Sequence, residues 1–386
     1  MKRRDFLKAA TAGALLGGNV QVLRAAPGDA YRNPLVLVEL KGGNDGLNTL
    51  VPYADPAYAR LRPRIGIRRE EVVQLTERAG LHPSLAPLLP IWEARELAVI
   101  QGVGYPQPNL SHFRSIEIWE TASRSDQTLQ EGWLTRAFNA APVPANFAAD
   151  GIVIGSNDMG PLAGGARAVV LSNPEQFLRQ AKLAGGAAPS RNRALAHVMK
   201  VEGDVVQAAR ELQGGVALRT VFPQGEFGNA VRTAAQVLAN PAGVAVLRLT
   251  LNGFDTHQNQ AGTQANLLRQ LAEGLVALKA ALVDLGRWER TLVMTYAEFG
   301  RRPAENASGG TDHGTASVQF AMGGRVRGGL HGEMPSLDRL DGGNLVHTVD
   351  YRSLYASVLR DWWQADAASA ASVLGGRWPQ LELLRA

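Results

Sequence analysis

Residues 34–48 read PLVLVELKGGNDGLN, a nearly continuous apolar run followed by a glycine-rich loop. The apolar run, residues 34–40, has the length of a single strand. Strands of this kind occur at the centre of parallel sheets, where helices cover both faces. The loop then places the polar side chains of Asn44, Asp45 and Asn48 just after that strand. The stretch therefore predicts a central strand of an α/β fold with polar residues gathered at its carboxyl end.

Apolar runs of strand length recur along the chain and alternate with segments of helical periodicity. Further strands are predicted at residues 97–103, 151–154, 166–171, 244–251, 291–295 and 317–322. Helices are predicted over residues 82–92, from 111 onward, over 264–285 and around 351–363. This alternation predicts a mostly parallel sheet with helices on both faces. The alanine-rich residues 173–240 are expected to form a helical insertion in this α/β domain.

The composition fits a folded α/β protein. The chain has 386 residues, of which 45% are hydrophobic. We find no internal repeat and no low-complexity linker, so one domain over residues 27–386 is predicted after a leader. The chain has no cysteine, which excludes disulfides and thiolate metal sites. Any metal must therefore be held by oxygen and imidazole ligands.

The amino-terminal residues 1–26 have the features of a signal peptide. They begin Met-Lys-Arg-Arg-Asp-Phe-Leu-Lys and continue into a short, mildly apolar stretch rich in alanine and glycine. Arg3 and Arg4, followed by Phe6 and Leu7, resemble the twin-arginine signal, although a plain basic terminus has such residues too. We expect the twin-arginine translocase to be a partner during export. The mature protein is then expected to be periplasmic or secreted.

The basic character of the chain belongs mainly to this leader. The formal net charge of the whole chain is +5. Residues 1–26 supply +4 of it, from Lys2, Arg3, Arg4, Lys8 and Arg24 against Asp5. The rest of the chain is close to neutral and has no basic stripe interleaved with aromatic residues, so nucleic acid is not an expected partner. No apolar run after the leader reaches membrane-spanning length, so no membrane span is expected.

Polar side chains follow four of the predicted strands. Ligands in open α/β sheets bind beyond the carboxyl ends of the strands, so we expect these side chains to converge. Besides residues 44–48, they are Asn109, Ser111, His112, Arg114 and Ser115 after the second strand, Asn252, Asp255, His257 and Gln258 after the strand ending at Leu251, and Glu298, Arg301, Asp312 and His313 after the strand ending at Thr295.

Carboxylate and imidazole side chains dominate these clusters, and together they are ligands for Zn, Mn, Mg or Ca. Asp255 and His257 are two residues apart in a predicted loop and can point at one ion. Asp312 and His313 are adjacent and have glycines on both sides, which permit the turn that such a pair requires. The sequence therefore indicates a divalent metal as cofactor.

Ser111 is the candidate nucleophile beside such a metal. Divalent cations stabilise the attacking and leaving oxygens in phosphoryl or sulfuryl transfer, and a cation makes a serine alkoxide accessible. Two simpler interpretations stay open at this point. Ser111 has the residue type of a helix N-cap, and Asp45 has that of a turn residue.

Six motifs resemble, in order, those of a bacterial family. They are VELKGGNDGLN at 38–48, GLHPSL at 80–85, YPQPNLSHFRS at 105–115, GFDTHQ at 253–258, EFGR at 298–301 and GTDHG at 310–314. The chain is similar to the domain of unknown function family fifteen-hundred-and-one, which is often exported by the twin-arginine route. That family is placed in the alkaline-phosphatase and sulfatase superfamily. The resemblance covers nearly the whole chain and implies an alkaline-phosphatase-like fold with a metal site.

The resemblance to the wider superfamily also implies roles for single residues. It implies a nucleophile at Ser111, where a helix opens after the second strand. It implies metal ligands at Asp45, Asp255, His257, Asp312 and His313.

The chain departs from the superfamily pattern after the strand that ends at Thr295. An Asp-His-Gly motif normally follows that strand, whereas this chain has Ala297-Glu-Phe-Gly300. On that alignment Glu298 replaces an aspartate and Phe299 a histidine, which implies damage to one metal site. A third late histidine is not evident, and His331 is the nearest candidate.

Two functions are expected from these observations. The first is an exported metal-dependent hydrolase of phosphate or sulfate esters, acting on a small-molecule or glycan ester. Its expected catalytic residues are Ser111, His112, Arg114, Glu298 and Arg301. The second, favoured by the Glu298-Phe299 replacement, is a non-catalytic periplasmic protein with a degenerate site that recognises a glycan or an envelope partner.

Overall fold

The apolar run after Pro34 forms an inner strand of a nine-stranded sheet. The computed structural model describes residues 29–171 and 217–385. The strands of the main sheet are β1 (Leu35–Lys41), β2 (Leu97–Gly104), β3 (Ala149–Ile154), β4 (Ala168–Val170), β5 (Val244–Asn252), β6 (Leu292–Tyr296), β7 (Ser317–Met322), β8 (Gly329–His331) and β9 (Val349–Asp350).

The sheet is mostly parallel, as the sequence predicts. Its strand order is β8-β2-β7-β6-β1-β5-β3-β4, and β9 also pairs with β2. β7 runs antiparallel to β2 and β6, and the other pairs in this sheet are parallel. Parallel strands end at the same edge, so the loops after β1, β5 and β6 begin close together.

Helices cover both faces of this sheet, which confirms the predicted fold class. They are α1 (Gly46–Thr49), α2 (Pro56–Leu61), α3 (Leu89–Glu93), α4 (His112–Thr121), α5 (Trp133–Ala140), α6 (Glu226–Ala239), α7 (Gln260–Asp284), α8 (Tyr351–Ser357) and α9 (Ala367–Val373). Short 3₁₀ turns lie at Asp29–Arg32, Pro83–Leu88, Gly160–Leu162 and Trp288–Arg290, and a π turn at Val358–Trp362. Small strands outside the main sheet lie at Leu50–Val51, Val73–Gln74, Gly80–Leu81, Gly300–Arg301, His313–Gly314, Leu340–Asp341 and Asn344–Leu345.

Alternate residues of β1 enter two different cores. Val36, Val38 and Leu40 pack with residues of α6 and α7 on one face. Leu35 and Leu37 pack with residues of α4, α5 and α8 on the other. This period of two explains why a nearly continuous apolar run is needed here, since both faces of the strand are buried.

The predicted helical insertion, residues 173–240, lies largely outside the described residues. In its described part, α6 packs against α7 and the sheet. A Cβ at Gly274 of α7 would lie 2.6 Å from the ring of Phe227 of α6, so the two helices approach closely because that residue is glycine. α6 is thus a layer of the main fold, and the rest of the insertion stays a prediction. The predicted leader, residues 1–26, also lies outside the described residues. None of the described helices has the length and apolar character of a membrane span.

A buried network of charged side chains lies between the sheet and α4. Arg248 of β5 donates to Glu39 of β1 (2.8 Å) and to Glu120 of α4 (2.9 Å), and its Nε donates to the hydroxyl of Tyr296 (2.8 Å). Two carboxylates therefore share one guanidinium in the interior. Burial raises the pKa of Glu120 to about 8, although Arg248 opposes this effect. The folded state consequently prefers the protonated form of Glu120 at neutral pH.

We expect the folded state to lose stability as the pH rises from about 4.5, the ordinary pKa of Glu120, through about 8. The folded pKa is the higher of the two, so the contribution is complete below the unfolded value and is lost above the folded one. The loss amounts to at most about 1.4 kcal/mol per pH unit in this interval. Glu120→Gln is permanently neutral and should remove much of this slope in urea unfolding at pH 5, 7 and 9. Glu77→Gln, at an exposed position, should keep it, and an unchanged slope in Glu120→Gln would show that another group titrates.

Candidate metal centre

Three loops at the carboxyl edge of the sheet meet around the side chain of Arg301. Its guanidinium donates to the carbonyl oxygens of Gly43 (2.8 Å), Phe254 (2.9 Å) and Thr311 (2.9 Å), which follow β1, β5 and β6. The side chain of Arg301 is fully buried, so these bonds replace the water that it has lost. Arg301 therefore holds together the loops that the sequence expects to converge.

The close approach of two of these loops depends on Gly42. Its φ is +114°, and a Cβ at this position would lie 2.4 Å from the backbone nitrogen of Asp255. Glycine alone avoids both the strain and the clash. The backbone N–H of Gly42 also donates to Oε1 of Glu298 (2.9 Å). The glycine-rich loop after β1 thus sets Asp255 and Glu298 beside each other.

Three imidazoles and a carboxylate come together where these loops meet. The ligand atoms of His112, Asp255 and His313 lie within 4.8 Å of one another. Nε2 of His313 is 3.1 Å from Oδ1 of Asp255, and Nε2 of His112 is 3.4 Å from Oδ2. His257 adds a fourth group, with its Nε2 3.0 Å from Nε2 of His313 and 3.1 Å from Oδ1 of Asp255. These four residues are named the His–Asp cluster below.

Each imidazole of the His–Asp cluster is held through its Nδ1 atom. Nδ1 of His112 lies 2.8 Å from Oε1 of Glu298. Nδ1 of His257 lies 3.3 Å from Oδ1 of Asp312, and Nδ1 of His313 lies 2.8 Å from the carbonyl oxygen of Leu110. Because these oxygens accept, each Nδ1 carries the hydrogen and each Nε2 keeps its lone pair. Lone pairs of His257 and His313 then face each other at 3.0 Å. A cation bound by both Nε2 atoms would satisfy both lone pairs.

Asp255 provides negative charge at the centre of the His–Asp cluster. Burial alone would raise the pKa of Asp255, but the hydrogen bond and the positive charge of Arg301 outweigh burial and lower that pKa to about 2. The hydrogen bond to Glu298 raises the pKa of His112, whereas burial lowers the pKa of His313. Asp255 is therefore anionic at neutral pH and neighbours a His313 that remains neutral there.

A comparison with models of known protein families shows to which family the chain belongs. The family model described as "Protein of unknown function (DUF1501)" matches residues 82–379. The chain belongs to the DUF1501 family. The matched range contains the whole His–Asp cluster, whereas Asp45 and Arg62 lie before it. A comparison with curated proteins gives no match.

Several solved structures are similar to this DUF1501 chain at low identity. A phosphonate monoester hydrolase from Silicibacter pomeroyi is 12% identical, with 89% of this chain and 77% of that chain covered and a TM-score of 0.38. A protein of the alkaline phosphatase superfamily from Vibrio parahaemolyticus is 8% identical, with 90% and 69% covered and a TM-score of 0.41. A Bacteroides thetaiotaomicron protein from a locus for glycosaminoglycan metabolism is 9% identical, with 89% and 75% covered and a TM-score of 0.42. With TM-scores below 0.5, these similarities say nothing about the activity of this chain.

In this DUF1501 chain, Glu298 and Phe299 support the His–Asp cluster. The buried carboxylate of Glu298 accepts from Nδ1 of His112, while its Oε2 has no hydrogen-bond partner among the described residues. The ring of Phe299 packs against those of His112 and His313, with centroids 4.9 and 4.5 Å apart. His112 therefore brings the third imidazole that the sequence left unassigned. The nearest sequence candidate, His331, bonds through Nε2 to the carbonyl oxygen of Arg327 instead (2.8 Å).

Asp45 lies in a buried ion pair with Arg62 and not in the His–Asp cluster. Its Oδ2 is 2.5 Å from Nη1 of Arg62 and its Oδ1 is 2.9 Å from Nη2, and both side chains are at most 1% exposed. Gln260 donates to Oδ2 (2.5 Å), and the N–H of Leu47 donates to Oδ1 (3.1 Å) as α1 begins. Both oxygens are thus used and the charge is neutralised. The structure therefore pairs Asp45 with Arg62, and a metal-binding role for Asp45 stays a prediction.

Two more of the expected residues lie outside the His–Asp cluster. Asp312 stands behind His257, at its Nδ1 atom, and so orients that ring without facing the centre. Arg114 pairs with Glu117 in the next turn of α4 (2.8 Å) and donates to the carbonyl oxygen of Gln127 (2.6 Å). Arg114 therefore ties α4 to the following loop.

Ser111 occupies the N-cap position of α4, but its hydroxyl makes no capping hydrogen bond. The residue is exposed, and its N–H donates to Oδ1 of Asn109 (2.9 Å). The residues on either side of it both contact the cluster: the carbonyl of Leu110 holds His313, and His112 belongs to the cluster itself. Ser111 thus lies beside the cluster, and its hydroxyl has no hydrogen-bond partner within the part of the chain that the structure describes.

Proposed function

We propose that this chain is an exported, metal-dependent hydrolase of phosphate or sulfate esters that uses the His–Asp cluster. The observation that carries the proposal is the set of three imidazoles, each anchored at Nδ1 and each turning Nε2 toward Asp255 or another ring of the cluster. Anchoring by a carboxylate or a carbonyl is how metal-binding histidines are normally oriented. The leader supports export to the periplasm or the outside of the cell.

The donor set suits zinc best. Ligand atoms at the usual 2.0–2.1 Å from a tetrahedral zinc lie about 3.3 Å from one another. The four contacts within the His–Asp cluster range from 3.0 to 3.4 Å. Mg and Ca prefer oxygen ligands alone, so three nitrogens disfavour them. A bound divalent cation supplies Lewis-acid stabilisation of the negative charge that develops on the transferring group.

The amino end of α4 supplies further stabilisation for an anionic substrate. Its first residue is His112, so the N–H groups of the first turn begin at the His–Asp cluster. These groups have no side-chain cap and suit phosphate or sulfate oxygens. Ser111 then attacks the phosphorus or sulfur through Oγ. The bond to the ester oxygen breaks, and that oxygen leaves as an alcohol with the proton that serine loses; water later cleaves the seryl ester and releases phosphate or sulfate.

Phe113 supports an ester with a flat apolar part. It is 88% exposed and follows His112 directly in α4. Single exposed apolar side chains are common on protein surfaces, but this one adjoins a residue of the His–Asp cluster in α4. Aromatic or sugar rings pack on such a side chain. Aryl phosphates and aryl sulfates are therefore the first substrates to test.

We expect the protein to bind one zinc ion per chain and to cleave one of these aryl esters. Elemental analysis of protein purified after export gives the stoichiometry, and p-nitrophenyl phosphate and sulfate give the activity. Removal of the metal with EDTA should abolish turnover, and added zinc should restore it. Asp255→Asn removes the anionic ligand and should lose the ion, whereas Asp338→Asn, in an exposed surface pair, should retain it.

Each other outcome has a definite meaning. Two ions per chain would contradict the single centre, because Asp45 is paired with Arg62 in the structure and is not available for a second ion. A chain that stays metal-free with zinc in excess would contradict the proposal altogether. A stoichiometric ion without turnover of either ester class would favour the non-catalytic binding protein.

A further inference from the structure

A cleft of about 400 Å³ opens at the amino edge of the sheet, opposite to the His–Asp cluster. It lies where β1, β3, β5 and β6 begin, and its lining includes Pro34, Phe147 and Gly243. The charged residues of its lining, within the described part of the chain, are Arg32, Arg287 and Arg290, with no aspartate or glutamate. The cleft is therefore cationic, although the mature chain as a whole is close to neutral.

Arg287 and Arg290 are held together on one side of a short turn. The 3₁₀ turn Trp288–Arg290 has Arg287 as its N-cap residue, and side chains three residues apart in a 3₁₀ turn lie over one another. Neither guanidinium has an ion-pair or hydrogen-bond partner in the described ranges. Burial, and then the charge of Arg290, lower the pKa of Arg287. Two like charges therefore lie near enough to affect each other, with no counter-ion among the described residues.

The backbone that presents these two arginines is fixed. Trp288, between them, is 5% exposed, and the ammonium of Lys279 lies 5.3 Å from the centre of its ring. Gly286 has a φ of +64°, and the N–H of Arg287 donates to the carbonyl of Leu282 (2.7 Å), so the end of α7 is closed by a tight turn. Such anchoring opposes the rearrangement that would separate the charges.

The one carboxylate between the two arginines points elsewhere. Glu289 is directed at Gly324, where a Cβ would lie 2.4 Å from its carboxyl carbon. The carboxylate thus packs on the turn after β7. Arg287 and Arg290 therefore repel each other with no carboxylate of the described residues to offset their charges. An anion from outside the described chain would offset this repulsion.

We infer that this cleft is a second binding site, for a tetrahedral oxyanion such as a phosphate or sulfate group. Paired guanidinium groups bind such anions with two parallel hydrogen bonds each, which fixes orientation as well as charge. The half-buried position of Arg287 in a cleft strengthens these bonds, because less water competes for them. The inference is independent of the proposed hydrolase activity, since the cleft and the His–Asp cluster lie at opposite edges of the sheet.

Calorimetric titration of inorganic phosphate, and separately of sulfate, into EDTA-treated protein tests the site. Removal of metal keeps the His–Asp cluster from contributing as a cation site. The wild-type chain should bind at least one of the two anions at one saturable site. The double variant Arg287→Gln with Arg290→Gln should bind it at least about 10-fold more weakly, because the charge-assisted hydrogen bonds are lost.

A matched variant removes the same total charge from elsewhere on the surface. Arg269→Gln with Arg327→Gln takes two arginines that pair with carboxylates outside the cleft, and it should bind the anion like the wild type. Equal weakening in both double variants would reduce the effect to net charge and overturn the inference. Absence of saturable binding of both anions to the wild type would overturn it as well. Thermal midpoints from circular dichroism establish that both variants are folded.

Discussion

Ser111→Ala is expected to abolish ester hydrolysis while the bound zinc ion stays in place. The substitution removes the attacking oxygen but leaves the His–Asp cluster and its Nδ1 partners intact, because the hydroxyl of Ser111 makes no capping hydrogen bond. Loss of a nucleophile that forms a covalent intermediate costs on the order of 1,000-fold or more in kcat. The measurement is kcat on the better aryl ester, together with zinc content by elemental analysis.

Two comparisons make this result specific. Ser308→Ala changes an exposed serine in another loop and should leave kcat within about twofold of the wild type, as surface substitutions usually do. Loss of zinc from Ser111→Ala would instead assign the serine a role in building the site. An unchanged kcat with zinc retained would show that Ser111 does not attack, and water activated at the cluster would then become the candidate.

Most of the fold could be predicted because its signals are local. The strand at residues 35–41 is apolar on both faces, and the structure buries both faces between helices. Helix α4 likewise begins directly after Ser111, as the sequence predicts, and it buries Ile118 and Trp119 in the core. The antiparallel direction of β7 could not be predicted, because residues 317–322 read like any other buried strand.

The candidate site could be predicted only in part. Asp255, His257 and His313 are recognisable because short motifs with glycines surround them. The sequence predicts a catalytic role for His112, but the position of this residue beside Asp255 depends on Glu298, which follows it by 186 residues. No local pattern encodes a contact of that separation. The contact of Glu298 with an imidazole cannot be predicted from the sequence for the same reason. The replacement of an aspartate by Glu298 therefore looks damaging in the sequence, whereas in the structure Glu298 holds the ring of His112.

Arg62 was missed because nothing in the sequence marks it. It follows Asp45 by 17 residues, beyond any helical or turn spacing. An arginine in such a segment is normally exposed, whereas this one is fully buried. A pattern that identifies Asp45 as a carboxylate after a strand therefore cannot tell a metal ligand from half of an ion pair.

Arg62→Leu is expected to lower the free energy of unfolding by about 3–5 kcal/mol, the usual cost of leaving one partner of a buried ion pair unpaired. Asp45 would keep its hydrogen bonds from Gln260 and Leu47 but lose the one cation that pairs with it in residues 29–171 and 217–385. Urea unfolding in EDTA measures the change. The neighbouring Arg60→Leu is the matched control, because Arg60 pairs with Asp338 at the surface, where both side chains are more than 60% exposed, and such pairs contribute at most about 1 kcal/mol.

The double variant Asp45→Asn with Arg62→Leu separates charge from packing. Asparagine keeps an oxygen for the N–H of Leu47 and removes the unpaired charge, so the double variant should recover much of the stability that Arg62→Leu loses. If the double variant is as unstable as the single one, the loss comes from the hydrogen bonds of Arg62 to the carbonyls of Arg302 and Pro303 and to Oδ1 of Asn48. Repeating Arg62→Leu with zinc in excess gives the decisive comparison. Should zinc restore its stability and raise the metal content from one ion to two, Asp45 would be a metal ligand that Arg62 keeps closed.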